Sequence, residues 1–383
     1  MPKIELSYNW GPENSPPPTA DGLKQRPQAL LRNPLMDLLQ AVREHGSIAA
    51  AARSLGLSYR HVWGELKKWE LRLNQNLIVW EKGMPAELSE FASKLLWAER
   101  QAQARLAAPI ESLMAEIERT FAVAFDPQAH LLTLYASHDD ALVRLRESAS
   151  QKSLHLDIRF CGSVDAIRAL NEGRCEIAGF HTLSQPNEKS LSAETYKPLL
   201  KPGLHKLIGF AKRTQGLLVK AGNPLNVQSL QDVVNGRFRY VNRGLGTGTR
   251  LLLDELLINQ RIKPEQLLGY DRQELSHSAV ATCIASGQAD AGLAIESAAM
   301  AAGLDFIPLV TENYWLACLK SALDSPPVFL LREHLASANW QLKLEEMSGY
   351  EANQSGNVHS LRQELPWWNL KPRTKLQKTS AKH

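Results

Sequence analysis

The sequence predicts a multidomain chain, in which a small helical domain with a hairpin wing and one long helix precede an α/β domain. Three observations predict it. A length of 383 residues exceeds what one hydrophobic core usually serves. Apolar residues recur at helical spacing from Asn33 to Leu73, broken at Gly46 and Gly56. From His130 onward, short apolar runs such as LLTLYAS, HLDIRFCG and AGLAI alternate with helical stretches.

Composition bounds the function. A hydrophobic fraction of 44% with 22% charged residues provides material for a sizeable core in each domain. A net charge of +4 is too small to indicate a nucleic-acid partner by its sum, so the placement of charge must decide. Cys161, Cys175, Cys283 and Cys318 stand far apart with no C-x-x-C pair, which predicts reduced thiols and neither a metal, a cofactor nor a disulfide framework. MPKIELSYNWGPENSPPP has no basic start followed by an apolar run, and no stretch of about 18 apolar residues occurs. The expectation is a cytoplasmic protein with no membrane partner.

Residues 1–30 hold an alternating run, Lys3 to Trp10, read as a strand, and a Pro-rich connection at Pro12 to Pro18. The segment 31–86 is read as three short helices and a hairpin in LIVWEKGMPAEL. Residues 87–124 form one long helical pattern with Phe91, Leu95, Ala98, Ala102, Leu106, Ile110, Leu113 and Ile117 three or four apart, a stripe that needs a partner helix. Pro109 inside it removes a backbone donor and is expected to kink or divide the helix into a dimerisation helix and a linker. An α/β domain with a largely parallel sheet follows at 129–362, and the basic stretch 363–383 is expected to be disordered.

Within the helical domain, Ser47 is an N-cap and Ile48, Ala51, Ala52 and Leu55 share one face of a short helix. Gly56 supplies the left-handed residue for a sharp turn before the next helix begins at Ser58. This is helix-turn-helix grammar. Val62, Leu66, Trp69 and Leu73 make the second helix's buried stripe, leaving Tyr59, Arg60, His61, Glu65, Lys67 and Lys68 outside. Ser58, Tyr59, Arg60 and His61, at the N-terminal end, are candidates for base and phosphate contacts, with Lys67, Lys68 and Ser47 nearer the backbone of double-stranded operator DNA. A merely solvated face is the plainer reading. The Ala-rich helix and tight turn before it favour the groove.

NPLMDLLQAVREHGSIAAAARSLGLSYRHVWGELKKWE resembles the DNA-binding domain of molybdate-dependent, ModE-type regulators, relatives of the LysR-type domain, most specifically at Ser58 to Trp63. The resemblance covers about a third of the chain. It implies a winged helix-turn-helix that dimerises through a long helix and reads a palindromic operator; the homodimer could pair further into a tetramer. The wing departs from the family in lacking a Gly-rich run.

Four later segments place polar residues where a strand ends and a helix begins, the usual position of a ligand site in an open α/β domain. They are Ser137 and His138 after LLTLYAS, Gly162 and Ser163 after LDIRFC, Arg243 with Gly246, Thr247, Gly248 and Thr249 in NRGLGTGTR, and Ser276, His277 and Ser278 in SHS. The third is the sharpest anion signal, because glycines let backbone N–H groups converge, hydroxyls add donors and arginine can clamp two oxygens. An ordinary capped loop would have the same composition. His277, and His181 after EIAGF, are candidates whose commoner fate is a cap or core position.

The run from LLTLYAS to GYEANQSG resembles the type II periplasmic-binding-protein-like domain of oxyanion-binding proteins and of ModE-like regulators fused to it, chiefly in NRGLGTGTR and SHSAVATCIASGQADAGLAIE. In tungstate-binding relatives an R-G-x-x-S-G-T segment gives an Arg and a Thr to the ligand, which carries over to Arg243 and Thr249, with Thr247 departing from the family Ser. The resemblance implies molybdate or tungstate; a small carboxylate such as formate is the alternative anion. Two lobes joined by HKLIGFAKRTQGLLVKA and DFIPLVTENYWLACL are expected. A hydrolase built on Ser137, His138, Asp139 and Asp140 is disfavoured because successive residues point apart. An anion-binding protein for transport or cofactor supply would leave the helix-turn-helix unexplained.

Overall fold

A computed structural model describes residues 6–7, 31–79, 85–125, 128–352 and 354–368. Strand β1 (Leu6–Ser7) pairs in parallel with β2 (Leu31–Arg32). The rest of the Lys3 to Trp10 run and the Pro-rich stretch lie outside the described residues.

Helices α1 (Pro34–His45), α2 (Ile48–Leu55) and α3 (Tyr59–Leu73) follow. Each start is capped: the side chains of Asn33, Ser47 and Ser58 accept from the N–H of Leu35, Ala50 and His61. Gly46 and Gly56 end the first two helices at φ of 62° and 70°, the left-handed geometry that favours glycine. Leu35, Leu39, Val42, Ile48, Ala51, Val62 and Leu66 make one closed core. The wing is antiparallel β3 (Ile78–Val79) with β4 (Glu87–Leu88); its tip, 80–84, lies outside the described residues.

Helix α4 runs unbroken from Glu90 to Phe125. It starts later than the expected residue 87 because Glu87 and Leu88 are used in the wing and Ser89 caps the helix by accepting from Ala92 N–H. Pro109 does not divide it. A proline removes one backbone bond, and the remaining turns keep the helix continuous.

The α/β domain contains β5 (His130–Ala136), α5 (Asp140–Ser150), β6 (Leu154–Phe160), α6 (Ser163–Asn171), β7 (Ile177–Leu183), α7 (Leu191–Tyr196) and β8 (His205–Val219). The chain continues through α8 (Leu230–Asn235), β9 (Tyr240–Arg243), α9 (Gly248–Asn259), β10 (Gln273–Glu274), α10 (His277–Ala285), β11 (Ala291–Ile295) and α11 (Glu296–Ala302). It ends with β12 (Asp305–Leu319), α12 (Pro326–Ala336), α13 (Ala338–Glu345), β13 (Tyr350–Glu351), β14 (Val358–Ser360) and α14 (Leu361–Glu364).

The strand order is β10-β9-β11-β8-β12-β7-β5-β6, with β13 and β14 also on β8. Strands β5, β6 and β7 form a parallel first lobe, and β9, β10 and β11 a parallel second lobe. The long antiparallel pair β8 and β12 crosses between them, so the sheet is mixed and not largely parallel. Both predicted crossings are these strands. Their ladder has two register shifts, between Pro308 and Val310 and between Tyr314 and Trp315. The folded body continues past 362, since Leu365 and Trp367 are buried against the first lobe; residues of the predicted disordered tail from 369 on lie outside the described set. No described helix is long and apolar enough to cross a membrane.

Candidate functional site

The crossing strands carry a buried ionic cluster. Arg213 on β8 pairs with Glu312 opposite it on β12 and with Asp139 at the end of the first lobe's β5. Tyr350 donates to Asp139 at 2.9 Å, and Gln215 donates to Glu312 at 2.8 Å and to Thr249 at 3.1 Å. Every charge in this cluster has a partner.

Arg243, at the end of β9, is different. It is 1% exposed, and its Nε and Nη1 have no hydrogen-bond partner. Burial, reinforced by the Arg213 charge, pushes its pKa down to about 9. A guanidinium keeps its proton at neutral pH, so a buried cation remains here that Asp139 and Asp140 compensate only in part. His181 and His277 are 4% exposed and held well below 6.5 by burial and by the two arginines, so both rings are neutral. Both nitrogens of His181 and Nδ1 of His277 also lack partners. Unpartnered buried polar atoms are expensive, and here three such side chains share one electrostatic environment.

The predicted strand-end residues converge around them. Ser137 Oγ lies 3.5 Å from Ser163 Oγ at the start of α6. A Cβ on Gly162 would stand 2.6 Å from the carbonyl oxygen of Gly246, and one on Gly248 would stand 2.9 Å from His181 Nδ1. The two lobes are therefore in contact at these glycines, with Ser163, His181 and Arg243 buried around them. An open groove of about 520 Å³ lies elsewhere, against Lys152, Phe329 and Glu333.

Some predicted hydroxyls are committed to other work. Thr247 caps α9, accepting from Arg250 N–H at 3.3 Å and donating to Gly244 O at 2.8 Å. Ser276 caps α10, bonds Ser278 at 2.9 Å and donates to Ala104 O on α4 at 3.0 Å. His138 turns to Glu111 of α4 at 3.0 Å, away from any pairing with Ser137. Burial works against the His138 charge, but the Glu111 bond and charge outweigh it and raise its pKa.

Sequence reasoning missed Arg213, Gln215 and Glu312. The signal was weak: Arg213 and Gln215 stand two residues apart and so face the same side of the sheet, but they lie inside the polar run Lys212 to Gln215, and Glu312 lies between Thr311 and Asn313.

On the helical domain, Ser58, Tyr59, Arg60 and His61 are exposed at the start of α3. Tyr59 stacks on Trp63, and Lys67 lies over the Trp63 ring at 5.0 Å. Lys67 and Lys68 pair with Glu70 and Glu65 but remain 46% and 49% exposed, and the solvent-facing Lys68–Glu65 pair is of the weak kind that can be exchanged for phosphate. Ser47 is half-buried and its oxygen is used as a cap. Glu70, buried, accepts from Leu77 N–H at 2.8 Å and Ile78 N–H at 3.3 Å, tying α3 to the wing.

Comparison with known proteins gives two family matches. Residues 35–92 match the bacterial regulatory helix-turn-helix protein, lysR family, and residues 145–336 match the PBP superfamily domain. A Bacillus subtilis protein, the uncharacterized YvgK, is 33% identical over 200 residues, 52% of this chain; the chain spans 64% of that relative's length. A Clostridium pasteurianum protein encoded 5′ of a 2Fe-2S ferredoxin gene is 34% identical over 109 residues, 28% of this chain and 96% of its own. Among solved structures, a phosphate-bound transporter substrate-binding protein of Clostridium perfringens aligns with a TM-score of 0.46 and 14% identity, over 58% of this chain and 99% of that one. Peroxide-bound OxyR of Corynebacterium glutamicum aligns at 0.41 and 15%, over 82% and 92%. Scores this low carry no argument about function. From the two family matches, the chain belongs to the PBP superfamily, and ahead of that domain residues 35–92 form a helix-turn-helix domain of the bacterial regulatory lysR type.

Proposed function

We propose that this chain is a transcription regulator whose grip on operator DNA responds to a small oxyanion held at Arg243, with molybdate or tungstate the favoured ligands. The observation that carries the reading is the Arg243 guanidinium itself, 1% exposed with two unpartnered N–H sites. A buried, unpaired cation is tolerated when an anion completes it. Neutral His181 and His277, the Ser163 hydroxyl and the amides opening α6 and α9 supply the further donors that an oxyanion needs.

At the other end, Ser58, Tyr59, Arg60 and His61 would enter the major groove while Lys67 and Lys68 meet phosphates. A homodimer is supported by the outer face of α4, where Leu106 and Leu113 are 43% and 47% exposed.

The test is a gel shift on DNA upstream of the chain's own gene, with calorimetry against molybdate, tungstate, sulfate, phosphate and formate. Arg243→Ala should abolish anion binding while leaving operator affinity nearly intact; Arg60→Ala should weaken operator binding at least tenfold and keep anion binding. Salt-independent DNA binding, or both variants retaining both activities, refutes the proposal. Binding of formate in preference to the tetrahedral ions would reassign the ligand to a small carboxylate.

A further inference from the structure

Helix α4 touches both lobes of the ligand-binding domain, at two separate stretches. Residues before Pro109 hold the second lobe. Arg105 makes a bidentate pair with Glu274 at 2.7 and 2.9 Å, Ala104 O accepts from Ser276, and the Gln101 and Gln288 amides bond each other at 3.0 and 3.2 Å. Residues after Pro109 hold the first lobe. Glu111 bonds His138 at 3.0 Å, Arg146 donates to the Glu111 carbonyl at 3.1 Å, and Arg119 pairs with Asp157 at 3.1 Å. Glu274, Glu111, His138 and Asp157 are all buried. Breaking these contacts would therefore strand buried charges, unlike separating surface pairs.

A helix rises about 1.5 Å per residue and resists stretching, so a rod fixed to two bodies fixes their spacing. The lobes cannot part unless one set of anchors lets go or the rod bends. Pro109 lies between the sets, where the missing N–H removes the backbone bond toward Arg105 and makes bending easiest. Two anchors stand on the pocket itself: Ser276 opens the helix that begins with His277, and His138 follows Ser137.

We infer that α4 is a strut across the two lobes, jointed at Pro109, which makes lobe closure and the attitude of the helical domain one motion. That an anion drives the motion rests on the reading of Arg243; the mechanical coupling does not.

Hydrogen exchange on the full chain tests the coupling without ligand. The double variant R105A/E274Q weakens the second-lobe anchor without stranding a charge, and Glu111→Ala weakens the first-lobe anchor. Each is expected to speed amide exchange at least threefold at both lobe junctions, 162–166 and 246–250, including the junction on the lobe whose anchor was left intact. Pro109→Ala, which restores the missing helix bond, is expected to slow exchange at both junctions, and it keeps the test decisive if an anchor variant fails to fold. Faster exchange confined to the altered lobe, or no response to Pro109→Ala, overturns the strut. Calorimetry with sodium molybdate then reads the anion half. R105A/E274Q should bind at least threefold more weakly than wild type; equal affinity separates the strut from the pocket. A wild type that binds none of the tested anions sinks the anion reading and leaves the exchange result standing.

Discussion

Gly162 shows how much of the site depends on a single absent atom. Its φ of −66° is open to any residue, so backbone conformation does not call for glycine there. The call comes from the second lobe, since a Cβ would press to 2.6 Å from the Gly246 carbonyl oxygen and 2.9 Å from its carbon, both backbone atoms. Gly162→Ala is expected to hold the lobes apart at a cost of about 1–3 kcal/mol, the usual penalty for overpacking. Anion affinity should then fall about tenfold or more by calorimetry, with the fold and operator binding unchanged. Undiminished affinity would mean that the lobes need not meet for capture. Arg243 makes the complementary point about charge: burial disfavours its cation, the Arg213 charge adds to that, and Asp139 and Asp140 offset only part of it.

Between elements, one carboxylate joins the recognition helix to the wing. Burial alone would raise the Glu70 pKa, yet Lys67 and the Leu77 and Ile78 amides hold it below the ordinary value, so it is charged when those amides are paired. Glu70→Ala is expected to destabilise the helical domain by about 1–3 kcal/mol, the cost of leaving buried donors unsatisfied, and to be visible as a lower denaturation midpoint. Operator affinity should fall with it, because the wing loses its register on α3. No change in either quantity would show the tie to be dispensable. These elements were legible in the sequence because their signals are local: Ser47, Gly56 and Ser58 mark ends, and Val62, Leu66 and Trp69 mark a period. Strand ends carrying Ser137, Gly162 and Arg243 were legible for the same reason. What remained hidden was long-range pairing. The caps at Thr247 and Ser276 are local, but nothing near Ser276 reveals that its hydroxyl also reaches Ala104, and nothing near Glu111 reveals His138. The proline at 109 does not divide the helix, because the contacts that hold α4 on either side keep it continuous across the one missing bond.

For the whole molecule, a ligand that binds the folded chain alone raises its stability by mass action. At about 100 times the dissociation constant, the bound anion should add about 2.7 kcal/mol to unfolding, seen as a higher melting temperature in wild type and absent in Arg243→Ala. An equal rise in both would point to nonspecific ionic stabilisation. The sheet decides how such a signal is carried. Ladder shifts on either side of the stretch 310–314 leave one unmatched residue on each crossing strand, Leu309 on β12 and Phe210 on β8. Between them lie Arg213, Gln215, Glu312 and Tyr314. Irregularities of this kind sharpen local twist and curvature. The ribbon is therefore creased at both ends of the charged segment, so that Arg213 and Glu312 stay opposite each other on an unbroken span while the change of direction between the two halves of the sheet is taken up at the creases.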